Sequence, residues 1–293
     1  MNEMHKANQG YWNRLAQDWR ELRDRDRLWQ MIPEQPELAF DGEALAMIRQ
    51  FAGDLQGKQA IVVGSGDNYV AFALAGMGAK VTSTDISTQQ LEIARQRAVN
   101  LGLEITFHQA DAASLDGLAD EAYDLACSSN GFFVWISKPS LVFQQVYRVL
   151  KPGGFYIFYD IHPFQRSWKD QAAPLEMAKP YSETGPFKHK EAGQVSFEFN
   201  WRLSDLLNPL LESGLVIRML AETSAKSRFW QDFSYEVGED ERPLDWHNNP
   251  RAGLPAWLTV AAQKPGGLVF QGEKRENGFD ERREYGNDLE STI

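Results

Sequence analysis

Cysteine is almost missing from this chain of 293 residues: Cys127 stands alone. One thiol excludes an internal disulfide framework and any metal site built on several cysteines. The five histidines, His5, His108, His162, His189 and His247, show no ligand spacing, so no metal is expected. Basic runs are missing too. Lys and Arg number 30 against 41 Asp and Glu, a formal net charge of −11, and basic residues nowhere run beyond a pair. Such a chain repels phosphate backbones overall, which argues against a nucleic-acid partner. No stretch reaches the ~18 apolar residues of a membrane-crossing helix. The opening residues lack the apolar centre of a secretory signal. A cytoplasmic protein with no membrane association, monomeric or homodimeric, is the expectation.

What is present is a core. Hydrophobic residues make up 43% of the chain, enough for a large buried interior and too many for a wholly disordered one. From Gln9 to about Gln30, Tyr11, Trp12, Leu15, Trp19, Leu22 and Leu28 recur near helical spacing. Pro33 and Pro36 break that pattern, and Gly42 to about Phe51 reads as a second short helix. Strands are predicted at 59–64, 80–85, 105–111, 123–129 and 154–161, with helices at 69–77, 88–101 and 140–150 between them. Alternation with short connections implies an α/β fold whose parallel sheet is covered on both faces. Past Pro163 the regularity fails. Strands are still predicted at 195–201, 215–222 and 257–263, and a helix at 204–212.

The sharpest local signal is Val63-Gly64-Ser65-Gly66-Asp67-Asn68-Tyr69, a glycine turn between a strand and a helix. Glycines there let a ligand approach the backbone near the positive helix N-terminus. Asp85 closes the following strand, placed either to accept from ribose hydroxyls or to cap the helix from Thr88. A dinucleotide site needs a small residue where Tyr69 stands, so an adenosine ligand without a pyrophosphate is favoured.

The order of VVGSGDN, TSTDIS, HQADAAS, YDLACSSNGFFVW and VLKPGGFYIF resembles the class I S-adenosylmethionine-dependent methyltransferases, over roughly Ala60 to Phe158. The resemblance implies a three-layer Rossmann-like sandwich with a mostly parallel, seven-stranded sheet. It also implies S-adenosylmethionine as cofactor and S-adenosylhomocysteine as product. Residues 1–55 would form a helical lid. Residues 56–265 would form the cofactor domain, with cap insertions at about 163–200 and 223–255, and 266–293 a disordered charged tail. Carried over residue by residue, Gly64, Ser65 and Gly66 would face the methionine part, and Asp85 with Ile86 the ribose. Asp111 and Ala112 would line the adenine, and Ser128, Ser129 and Asn130 the sulfonium and substrate. Tyr11 on the lid would reach the cofactor carboxylate, or else only pack. Two departures stand out: Val62 where many members have an acid, and Asn68 in place of the third glycine. The Asn/Asp-Pro-Pro-aromatic motif of base-nitrogen methylation is absent, since that place reads Ser-Ser-Asn-Gly-Phe-Phe.

Asp160 and His162 are the catalytic candidates. Two apart on an extended chain, they point the same way at the end of the fifth strand, where α/β sites form. His162 would act as general base with Asp160 fixing its tautomer, or would be a histidine satisfied by a neighbouring carboxylate. Aromatics at strand ends and in insertions, among them Phe132, Phe133, Trp135, Phe164, Trp168, Trp201, Phe229, Trp230, Tyr235 and Trp246, suggest an apolar pocket for a small molecule. The expected reaction is methyl transfer to O, N or C of such a molecule. An RNA or protein methyltransferase and a non-catalytic S-adenosylmethionine-binding module are the alternatives.

Overall fold

Buried strands read as short apolar runs when both faces of a sheet are covered, and this chain has several. In the computed structural model, which describes residues 1–169, 175–191, 193–224, 245–247 and 249–266, they form the centre of the molecule. In chain order the elements are α1 (Glu3–Asp26), α2 (Leu28–Met31), α3 (Ala44–Met47), β1 (Gln59–Val63), α4 (Tyr69–Gly76), β2 (Lys80–Asp85), α5 (Thr88–Leu101) and β3 (Ile105–Gln109). Then come β4 (Tyr123–Ser128), α6 (Pro139–Val149), β5 (Leu150–Ile161), β6 (Phe187–Glu191), β7 (Gln194–Glu198), α7 (Leu203–Glu212), β8 (Val216–Thr223) and β9 (Trp257–Gln263).

Seven strands form one sheet in the order β3-β2-β1-β4-β5-β9-β8. β1 to β5 pair in parallel, and β9 runs antiparallel to both β5 and β8. The expected Rossmann-like, mostly parallel sheet of seven strands is therefore present. On one face Val142, Phe143, Val146, Leu206 and Leu210 of α6 and α7 pack against Tyr156, Phe158 and Val260. On the other, Met47, Val70, Ala71 and Leu74 of α3 and α4 pack against Val62, Cys127 and Ile157, with α5 alongside.

Local chemistry explains the boundaries. Ser87 caps α5 by accepting from the Gln90 amide, and Gly102 ends it at φ 67°. Pro139 opens α6 at a first-turn position, where its missing N–H costs nothing.

Three expectations are corrected. α1 begins at Glu3, well before Gln9, because Asn2 caps it by accepting from the His5 amide. The second helix shrinks to α3, continued by a π turn over Ile48–Ala52. The strand expected at 195–201 is β7, which leaves the main sheet and pairs with β6 as a separate antiparallel hairpin. Its continuation turns away when the Phe199 amide donates to Val134 O and the Asn200 amide to Thr184 O. The proposed tail and most of the second cap insertion lie outside the described residues.

Candidate functional site

The carboxyl ends of β1 to β5 gather the glycine turn, Asp85, Asp111, residues 128–133 and Asp160 at one end of the sheet. In the turn, Gly64 and Gly66 have φ of 69° and 48°. The two glycines serve different purposes. A Cβ on Gly64 would stand 2.2 Å from the Phe132 ring, whereas a Cβ on Gly66 would meet nothing within 4 Å. Gly64 thus admits an aromatic side chain of this protein, and Gly66 faces open space. Asn68 adopts φ 66°, the left-handed conformation that glycine would otherwise supply and that asparagine tolerates. Its amide donates to Gly66 O at 2.7 Å and its Oδ1 accepts from Ser83 Oγ, so the turn is held by a side chain. Ser65 is buried, with its amide on Thr84 O. Val62 is fully buried in the core.

Asp85 is buried and accepts from the Gly66 amide at 2.9 Å and the Ser87 amide at 2.8 Å. Burial raises its pKa, and those amides oppose the rise. The helix cap itself is Ser87, and Asp85 braces the glycine turn and the Ser87 amide that precedes the helix. Ile86 presents its carbonyl to Gln9 and Gln109. Ser128 differs from expectation: its hydroxyl donates to Val63 O at 3.0 Å and accepts from Tyr156 Oη at 2.9 Å. It ties three neighbouring strands together and has no donor left. Ser129 is half-buried and Asn130 exposed, both at the mouth of the site.

Helix α1 crosses the strand ends through polar side chains that the sequence pattern did not single out. His5 meets Asp111, Asn8 bonds Trp135 O, Phe197 O and the Phe197 amide, and Gln9 reaches Ile86 O. Asn13 accepts from Ser87 Oγ, and Arg23 donates to Asp67 in the glycine turn at 2.7 Å. Residues 5, 8, 9 and 13 follow helical spacing, so a stripe of polar residues was the available signal. Tyr11 is a correction. Its hydroxyl donates to Glu191 on β6, and its ring packs on Trp12 and Trp135, so it serves the hairpin contact. Ala112 is buried in the core beside Asp111.

The pair Asp160 and His162 is also corrected. Asp160 accepts from the amides of Gly131, Phe133 and Ile161 at 2.9, 3.1 and 2.7 Å. It organises the loop after β4, with Arg166 at 3.5 Å, and does not hold the imidazole. The Phe164 amide can only donate, so Nδ1 of His162 accepts and Nε2 carries the proton toward Glu222, at 2.7 Å. Burial lowers the pKa of His162 against the opposing pull of Glu222. Both ring nitrogens are occupied, which leaves no lone pair for a substrate proton. Glu222 comes from the edge strand β8, a partner no local pattern could indicate.

Of the expected pocket aromatics, Phe133 is core, and Trp135 packs edge-on against Trp12 at 5.1 Å. Phe164 gathers Trp168 and Tyr181 within 5.8 and 5.7 Å just past β5. Trp246 is exposed, and Phe229, Trp230 and Tyr235 lie outside the described residues. Among the described residues no group of three or more His, Cys, Asp or Glu could hold a metal, and no helix is long and apolar enough to cross a membrane.

A glycine facing open space and a buried carboxylate at the next strand end suit an adenosine-containing ligand, and both are present. Residues 61–158 match the methyltransferase domain family. The chain is 29% identical over 143 residues to the ubiquinone biosynthesis O-methyltransferase of Photorhabdus laumondii, covering 48% of this chain and 59% of that one. It thus spans about three fifths of the length of that relative. In fold it is similar to an S-adenosylmethionine-dependent methyltransferase from Mesorhizobium loti, with TM-score 0.55, 22% identity, and coverage of 76% of this chain and 98% of that one. It is similar also to a [4+2]-cyclase, SpnF, with TM-score 0.53, 21% identity, and coverage of 76% and 80%.

Proposed function

We propose that the protein is a cytoplasmic S-adenosylmethionine-dependent methyltransferase that methylates an oxygen of a small, partly apolar or aromatic molecule. One observation carries the reading most: a methyltransferase-type glycine turn, Asp85 and Asp111 lie at adjacent strand ends beneath one polar-faced helix. The name of the Photorhabdus relative supports oxygen as the acceptor atom. The aromatic cluster of Phe164, Trp168 and Tyr181 supports a small apolar substrate. Trp168 adds a buried indole N–H with no partner among the described residues, a donor for a polar atom of that substrate.

When bound, the sulfonium supplies an electrophilic methyl group with a thioether leaving group. Residues of this chain then have mainly to bind, align and exclude water. Asp85 would accept from the ribose hydroxyls, and Gly66 would let the methionine part lie against the turn. Asp160 would keep the Gly131–Phe133 loop in place beside the substrate. With His162 committed to Glu222, the acceptor oxygen would reach the methyl already ionised or lose its proton to water. The single thiol, Cys127, is buried, which suits a reducing compartment.

The test is incubation with methyl-labelled S-adenosylmethionine and separated small-molecule, RNA and protein fractions. Label is expected in the small-molecule fraction, in an alkali-stable ether. Label in RNA or protein would reassign the substrate class. S-adenosylhomocysteine binding without label transfer would favour a non-methylating use of the fold, which the cyclase likeness allows.

A further inference from the structure

His5 is 98% buried by side chain, and nothing in its sequence surroundings marked it. Its Nδ1 lies 2.9 and 3.0 Å from the two oxygens of Asp111, just past the end of β3. Its Nε2 lies 3.0 Å from both the amide and the hydroxyl of Ser137, in the loop that follows β4. A backbone amide can only donate, so Nε2 carries the lone pair and the proton sits on Nδ1, facing the carboxylate. Asn2 completes the arrangement by donating from its side-chain amide to Ser137 Oγ at 2.8 Å. The carboxylate also accepts from the Ala113 amide at 3.0 Å. Burial opposes ionisation of Asp111, but the His5 and Ala113 hydrogen bonds outweigh it and hold the carboxyl below its ordinary range. One imidazole thus joins three separate segments: the start of α1, the end of β3 and the loop after β4.

From this geometry we infer that His5 is the positioning residue that holds α1 across the nucleoside side of the site, and that Asp111 anchors this latch in place of reading the base. Both oxygens of Asp111 face the helix, and a neutral imidazole with fixed tautomer supplies one donor and one acceptor to opposite loops. A leucine here would leave a buried carboxylate with only the Ala113 amide as partner. The inference rests on the methyltransferase reading only for its effect on cofactor affinity. The latch itself is a property of the ligand-free protein.

The experiment combines His5→Ala, His5→Gln, Asp111→Ala and the His5→Ala/Asp111→Ala double variant. Two readouts are taken on the full chain: hydrogen exchange of the α1 amides without ligand, and titration with S-adenosylhomocysteine. His5→Ala is expected to speed exchange in α1 selectively, leave exchange in β1 and β4 unchanged, and weaken binding ~10- to 100-fold. Turnover at saturating S-adenosylmethionine should stay within about twofold, because the latch acts on binding and not on the reacting atoms. His5→Gln, whose amide offers one donor and one acceptor, should restore both readouts in part. Asp111→Ala should match His5→Ala, and the double variant should be no worse than either single one. Unchanged α1 exchange in a folded His5→Ala protein would overturn the latch. Additive losses, with Asp111→Ala the larger, would make Asp111 a base reader after all. If the wild type binds no S-adenosylhomocysteine, the functional reading fails while the exchange comparison still decides the latch.

Discussion

The sheet and its cover are built by opposite means. β1, β4 and β9 are buried along nearly their whole length, and the side chains filling the layers beside them, Phe72, Phe143, Tyr156 and Phe158, are fully enclosed. The cover consists of α1 and the β6–β7 hairpin, brought together from positions near 10 and near 195. Four of the five β6 residues are exposed, and the cover meets the body through hydrogen bonds of His5 to Asp111, Asn8 to Trp135 O, Gln9 to Ile86 O and Asn13 to Ser87. Apolar burial is cooperative and insensitive to small displacements, whereas a hydrogen-bonded seam holds only in one geometry and opens at lower cost. The molecule thus joins an apolar floor to a cover held by hydrogen bonds.

That contrast can be broken in graded steps. Phe143→Ala removes a fully buried ring from the α6 side of the sheet and should cost about 3–5 kcal/mol in urea unfolding. A loss equal to that of a cover variant would erase the distinction. Asp85→Ala should cost about 1.5–3 kcal/mol of S-adenosylhomocysteine affinity by calorimetry. An unchanged dissociation constant would reduce Asp85 to a brace of the glycine turn. Asn8→Ala removes three hydrogen bonds from the seam between α1, the β4 loop and β7, and should cost about 2 kcal/mol. Hydrogen exchange should localise that loss to α1 and β7, and a loss spread through β1 to β4 would show that cover and floor unfold together.

Asp41 tests the body apart from the cover. It precedes Gly42, which packs on Thr259, and burial pushes its carboxyl up to about 6 from an ordinary 3.8. The folded protein then holds that proton more tightly than the unfolded chain does. Stability therefore falls as pH rises from about 4 to 6 and stays lower above. Asp41→Asn should raise stability by about 1 kcal/mol at pH 7.5 and leave it unchanged near pH 3.5, measured by thermal melts at both pH values. The smallest effect on chemistry is expected for His162→Ala. With both nitrogens engaged by Phe164 and Glu222, its loss should lower the melting temperature and leave turnover per folded molecule unaltered. A fall of 100-fold or more would return it to the mechanism as a general base.

The legible and illegible parts of the site follow the same division. The bounds of α5, Thr88–Leu101, are legible because its apolar spacing and terminal glycine are local, although its cap is Ser87 and not Asp85. The glycine turn and Asp85 were visible because strand, turn and helix are consecutive. Asn68 looked like a defect in the turn until its left-handed backbone and its bond to Ser83 were seen, a contact between neighbouring strands. Ser128 looked free, but β1 and β5 on either side of β4 take both of its hydrogen bonds. Asp160 and His162 do lie two apart at a strand end, yet their partners come from residues 131–133 and from Glu222.

By itself, the sequence determined the α/β alternation, the type of sheet and the place of the glycine turn, because periodicity, capping and turn chemistry act over a few residues. The tertiary structure alone decided which polar groups remain available. Hydrogen-bond capacity is used up by whichever partner folding brings within reach, and in this site those partners are distant: Ser137 for His5, Tyr156 for Ser128, Glu191 for Tyr11 and Glu222 for His162.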